Sequence, residues 1–173
     1  MKVLAIDPGF PNLSAVEYSG TEFVFHEIKI YKGEKGEKDL VKNKITAFED
    51  LRDALYSTIM NLEPDIIIYE AISHGAKFGV VQSGQTELII EWAIYWSAMH
   101  GKAHKVQSGT WKKEVLGNGR ASKQDVSLFI NKEYPEIGRT NQHKRDAICL
   151  ALYGMKMFNK PPRNRRKLKV RKL

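Results

Sequence analysis

The sequence predicts an α/β domain, a mixed five-stranded sheet of antiparallel meander plus parallel strands flanked by helices. Three observations predict it. Two short runs, Val3-Leu4-Ala5-Ile6 and Ile66-Ile67-Ile68-Tyr69, are apolar throughout, as buried central strands are, and each ends abruptly in an acid, Asp7 and Glu70. Residues 13–18 and 22–30 read as two strands joined at Ser19-Gly20, a hairpin signal. Beyond residue 45, helical periodicity alternates with strand patterns, giving αβαβ and then helices.

The elements follow in order. Strand one spans 2–7 and turns out through Asp7-Pro8-Gly9. In the third strand Phe23, Phe25 and Glu27 alternate with Val24, His26 and Ile28, so one face should be exposed. Residues 32–44, rich in Lys, Glu and Gly, read as a surface loop. A helix is predicted over 46–61, with Phe48, Leu51, Leu55, Ile59 and Leu62 on one stripe and Thr46 or Asn43 as its cap. Pro64-Asp65 opens strand four, which ends at Glu70; the polar stretch Ser73 to Ser83 suits a substrate-facing loop. The helix predicted over 85–100 is apolar almost all round, which implies burial on every face, either at a subunit interface or as a central core helix. Ala103 to Val106 forms strand five. Ser108 or Thr110 caps a short helix carrying Trp111-Lys112-Lys113 and stopped at Gly117-Asn118-Gly119. Ser122 caps a helix over 123–133 ended by Tyr134-Pro135, and Thr140 or Asn141 caps the last, 142–158.

Composition bounds the function. At 173 residues and 42% apolar, the chain can bury one substantial core. No apolar run reaches the roughly 18 residues of a membrane span, and the opening strand pattern is not a signal peptide, so a cytoplasmic, non-secreted protein is expected. Cys149, the single cysteine, lies in an apolar helical run and reads as a buried thiol in a reducing compartment. The formal net charge is +8, and residues 160–173 hold eight Lys or Arg and no acid, so the body balances at 20 basic against 20 acidic residues. The division expected is a domain over 1–158 and a basic, disordered tail over 159–173. Such a tail, including Arg163, Arg165, Arg166 and Lys167, attracts polyanions, chiefly nucleic acid.

Four residues carry the chemistry: Asp7, Glu70, His143 and Asp146. If strands one and four are parallel neighbours, Asp7 and Glu70 end side by side. His143 and Asp146, three apart at the start of the last helix, share a face. Singly each has an ordinary reading: a turn carboxylate, a strand-end Glu, a helix cap, a first-turn acid. Together, converging carboxylates repel unless a divalent cation neutralises them, and Mg²⁺ suits such an oxygen set best. Two such ions can activate a water and stabilise a departing 3′ oxygen. Glu63, Asp65, Glu87 and Glu91 read instead as turn or helix-surface charges.

The ordered set Ile6-Asp7-Pro8-Gly9, Tyr69-Glu70, the 111–117 segment, Ala121-Ser122-Lys123 and His143-Lys144-Arg145-Asp146-Ala147 resembles the RuvC family of Holliday-junction resolvases, within the RNase H-like superfamily. The resemblance covers most of residues 1–158. It implies an RNase H-like fold and a homodimer, with helix 85–100 at or near its interface. It implies paired symmetric nicking of four-way DNA junctions with Mg²⁺ or Mn²⁺, two ions per site. Asp7, Glu70 and Asp146 match the family's acidic metal ligands, His143 a position held by Asp or His, and Lys112 and Lys123 its phosphate-binding cations. Where bacterial members carry an aromatic that stacks on junction bases, this chain has Ser73; His74 or Phe78, with Lys77 between them, offers a substitute contact to DNA. The basic tail and the 32–44 loop depart from the family pattern and suggest a divergent member from a bacterial or phage-infected cell. A nuclease with broader taste for forks and flaps, and a non-catalytic junction-binding protein on the same fold, are the competing readings. An actin-like ATPase shares the first turn but needs two such domains.

Overall fold

The computed structural model describes residues 1–8, 12–29, 40–72 and 80–159. Five strands form one sheet: β1 (Val3–Asp7), β2 (Asn12–Tyr18), β3 (Phe23–Lys29), β4 (Ile66–Glu70) and β5 (Ala103–Val106). Their order across the sheet is β3-β2-β1-β4-β5. The β1–β2 and β2–β3 pairs are antiparallel, and β1–β4 and β4–β5 are parallel. This is the mixed sheet the sequence predicts, and the parallel β1–β4 pairing is the one that the strand-end acids required.

Helices cover both faces, and strand alternation sorts the side chains between them. Val3, Ala5, Ile66 and Ile68 face a core shared with α3 (Ser108–Leu116), α4 (Lys123–Glu133) and α5 (Gln142–Phe158). Leu4, Ile6, Ile67 and Tyr69 face the opposite core, with Leu51, Leu55 and Ile59 of α1 (Leu40–Leu62) and Ile90, Ala93 and Ile94 of α2 (Val80–Trp96). Gly154 sets how closely α5 lies on the sheet. A Cβ there would stand 2.7 Å from Ile68 Cγ1 and 2.8 Å from Val3 Cγ1, so only glycine lets the helix rest on β1 and β4.

Several sequence expectations need correction. Helix α1 begins at Leu40, not at residue 46, so part of the expected loop is helical and Asn43 and Thr46 are interior rather than caps. No Gly or Pro lies between Gly36 and Pro64, so nothing in the backbone halts the helix sooner. Helix α2 likewise starts at Val80, inside the stretch read as a loop, and stops at Trp96. Of the two placements expected for this helix, the central core position fails. Ile90, Ala93 and Ile94 are buried, but Leu88 is 66%, Tyr95 65% and Trp96 60% exposed. One sheet face and α1 supply walls for only one side of this helix. The expected exposed face of β3 is found only in part: Val24 is 40% exposed, but Ile28 on the same face is buried, and Phe23 and Phe25 pack on the α5 side. Gln107, not Ser108 or Thr110, is the N-cap of α3, without a side-chain cap bond.

Other local signals hold. Ser122 caps α4 in a capping box with Asp125, and Asn141 caps α5 by accepting the Lys144 N–H at 2.8 Å. Gly117 ends α3 at φ +81°, where glycine is favoured. Cys149 is buried, and burial pushes its thiol well above the usual range. No helix among the described residues is long and apolar enough to cross a membrane. The 160–173 part of the predicted tail lies outside the described residues.

Candidate active site

The site forms at the carboxyl ends of β1 and β4. Their parallel register pairs Ile6 with Tyr69, which puts Asp7 and Glu70 on the next rung. By alternation, Asp7 shares the face of Val3 and Ala5, and Glu70 that of Ile66 and Ile68, so both carboxylates point to the α5 side. The Asn141 cap starts α5 above them. His143 Nδ1 lies 3.0 Å from Asp7 Oδ2. One turn along, Asp146 Oδ1 accepts from Gln142 Nε2 at 2.8 Å. From the far side, the buried Trp111 of α3 donates its indole N–H to Glu70 Oε2 at 2.9 Å. Lys112 follows it, its ammonium 5.5 Å from the Trp111 ring centroid.

The electrostatics show a crowded anionic site. Burial, and then the charge of Asp7, push the Glu70 carboxyl up to about 7, although the Trp111 hydrogen bond and Lys112 pull it back. Burial also lifts Asp146 to about 6, with Asp7 adding and Gln142, Lys112 and His143 opposing. The hydrogen bond to Asp7 raises His143 above its ordinary value against burial, while the charge of Lys123 lowers it. Lys112 and Lys123 are therefore within electrostatic reach of these groups.

The structure thus draws Asp7, Glu70, His143 and Asp146 into one cluster with Lys112 and Lys123 beside it. His74, Lys77 and Phe78, and Arg163, Arg165, Arg166 and Lys167, lie outside the described residues. The donor set fits a hard divalent cation in its chemistry, with three buried or half-buried carboxylates and an imidazole. Its side chains nonetheless lean on protein donors. Among the described residues, no three His, Cys, Asp or Glu side chains stand together closely enough to hold one ion.

Sequence reasoning missed four contributors. Trp111 was visible only as the neighbour of Lys112, although a buried indole N–H needs an acceptor and so points to a nearby acid. Gln142 carried no signal. Glu87 and Glu91, read as surface charges, are half-buried and build a clamp behind the site. Glu87 Oε2 accepts the Ile72 N–H at 3.0 Å, two residues past Glu70, and pairs with Lys105. Glu91 takes Lys105 Nζ at 2.8 Å and the Tyr69 hydroxyl at 3.1 Å. The clamp ties α2 to β5 and to the exit of β4.

A mixed 3-2-1-4-5 sheet with α5 crossing the carboxyl edge of β1 and β4 defines the chain as an RNase H-like α/β domain. Within that class its fold is that of RuvC. A Thermus thermophilus RuvC structure matches with a TM-score of 0.66 over 91% of this chain and 96% of its own, at 16% identity. T. thermophilus RuvC in complex with a Holliday junction substrate matches at 0.67 over 88% and 92%, also at 16% identity. The yeast mitochondrial Holliday junction resolvase matches at 0.55 over 89% and 78%, at 15% identity. No family model and no curated protein matches the sequence.

Proposed function

We propose that this chain is a metal-dependent endonuclease that resolves four-way DNA junctions by paired nicks near the branch point. The observation that carries the reading is the convergence of Asp7, Glu70, His143 and Asp146 from β1, β4 and α5 onto one edge, beside Lys112 and Lys123. The likeness to RuvC seated on a junction substrate supports the substrate class.

In this reading Asp7, Glu70, Asp146 and His143 would hold Mg²⁺, with Mn²⁺ as a substitute, the carboxylates through the oxygens that their present donors leave free. A bound pair of ions supplies an activated water and stabilises the leaving 3′ oxygen. Lys112 and Lys123 take the non-bridging oxygens of the phosphate beside the cut. His143 presents Nδ1–H to the Asp7 carboxylate, which leaves Nε2 as the nitrogen that would meet an ion. Trp111 keeps Glu70 aimed along the strand. A second copy docks on the exposed face of α2, and the two-fold symmetry of the pair matches that of a junction.

Labelled four-way junction, fork, duplex and single strand, each with Mg²⁺ or EDTA, test the proposal. Paired nicks on the junction that EDTA abolishes are expected. Asp146→Asn should stop cutting and keep junction binding; a variant that still cuts removes the site assignment. Forks cut as fast as junctions would turn the reading to a broader branched-DNA nuclease.

A further inference from the structure

A second cluster of cations stands at the same end of α5, on a different side. Asn131, Pro135, Gly138, Arg139, Thr140 and Arg145 line an open cleft of about 560 Å³. It lies between the end of α4, the short 3₁₀ turn Pro135–Ile137 and the first turns of α5. Gly138 turns the chain there at φ +68°, a conformation that favours glycine. Arg145 bonds through its backbone N–H to Asn141. Its Nε is buried and has no hydrogen-bond partner among the described residues, and the buried Thr140 hydroxyl also lacks one. Neither Arg139 nor Arg145 forms an ion pair with a described residue.

A folded chain seldom leaves a guanidinium N–H and a hydroxyl buried without acceptors, because each forfeits its bonds to water. Here the residues that carry two such donors, together with Arg139, line one cleft. A group with several anionic oxygens in a fixed spread satisfies them together: a guanidinium offers parallel N–H donors that match a phosphate, and the hydroxyl can donate to the same group. A carboxylate side chain of the protein does not fill this role among the described residues. Arg145 precedes Asp146 by one residue, so its side chain leaves α5 about 100° around the helix from the catalytic carboxylate. The cleft is thus next to the reaction centre yet separate from Lys112 and Lys123.

We propose that Arg139, Thr140 and Arg145 form a second phosphate site, which holds a backbone phosphate of the bound DNA away from the scissile one and fixes how the strand crosses α5. It rests on the nucleic-acid reading above. Its role is positioning, through charge and hydrogen bonds to backbone oxygens, so it is blind to base sequence.

The test follows the Arg145 side-chain Nε–H resonance of the wild-type protein by NMR, in EDTA to prevent cutting, during titration with a four-way junction and, separately, with inorganic phosphate. The resonance is expected to shift with the junction at micromolar concentrations and with phosphate only at millimolar ones. In parallel, Arg139→Gln/Arg145→Gln, checked by circular dichroism for an unchanged fold, should bind junction several-fold more weakly and lower the slope of log K against log salt by about one. A resonance that junction does not move, or an unchanged affinity and salt slope, overturns the proposal. A resonance moved by phosphate alone assigns the cleft to a free anion and overturns the DNA role. Because these readouts need no cleavage, an inert Asp7-Glu70-Asp146 site would sink the nuclease reading and leave this one to be judged separately.

Discussion

Trp111 Nε1 donates a 2.9 Å hydrogen bond to Glu70 Oε2, joining the core of α3 to the carboxyl end of β4. Trp111 has no exposed surface, so the bond is shielded from water and holds Glu70 in one orientation. Trp111→Phe keeps an aromatic ring and removes the donor. With a small void added to the missing bond, the variant should be less stable by about 2–3 kcal/mol in chemical denaturation. Glu70 should also rise further above about 7, since the bond now lowers it, and Mg²⁺-dependent cutting should need higher pH. An unmoved pH profile would show that the indole only fills space.

The ion-free protein should lose stability as pH rises. Glu70 goes from 4.5 in the unfolded chain to about 7 in the fold, and Asp146 from 3.8 to about 6. Between those values the native state binds more protons than the unfolded one, so stability declines as pH climbs from about 4 to about 7. The raised His143 acts in the same direction above its unfolded value. The combined effect should be on the order of a few kcal/mol. Mg²⁺ should restore stability at pH 8 and do little at pH 5, because protonated carboxyls are poor ligands. Thermal melts at both pH values, with Mg²⁺ and with EDTA, check this; a melting temperature that rises with pH in EDTA would contradict it.

The exposed face of α2 should pair two copies. Leu88, Trp92, Tyr95 and Trp96 form an apolar strip, and a groove of about 330 Å³ lies between it and Ile45 and Phe48 of α1. Leu88→Glu/Tyr95→Glu changes two outward side chains and should cost the isolated fold no more than about 0.5 kcal/mol for each. It should turn a dimer into a monomer in sedimentation, and paired nicks into scattered single ones. A wild-type protein that is monomeric at micromolar concentration would defeat this prediction.

Removal of residues 160–173 takes eight cations from the chain. DNA affinity should fall, and the salt slope should drop by about one for each phosphate that the tail neutralises in the full chain, with single-turnover cutting at saturating DNA unchanged. An unchanged slope would mean that the tail does not touch DNA.

Much of the site was legible in the sequence because its signals are local. Apolar strands that stop at Asp7 and Glu70, the Ser122 and Asn141 caps and the His143–Asp146 spacing each depend on a few neighbouring residues, and each holds in the structure. The start of α1 and the exposure of α2 were not legible. Helix propensity around Leu40 is too even to mark a boundary. The apolar residues around α2 do not say how many walls the rest of the chain can provide. Glu87 and Glu91 misled for a related reason: their partners, Ile72, Lys105 and Tyr69, come from segments that pair only in the sheet.

The sequence by itself determined which residues could do chemistry and which strand ends would carry them, since period, turn residues and charge are written locally. Only the tertiary structure decided who faces whom. The parallel register of β1 and β4 set Asp7 beside Glu70, and the close seat of α5 at Gly154 helped bring His143 within 3.0 Å of Asp7. Among the described residues, packing left Trp111 Nε1 bonded to Glu70 and left Arg145 Nε without a partner. These relationships span tens of residues, and they exist only once the sheet register and helix packing are fixed.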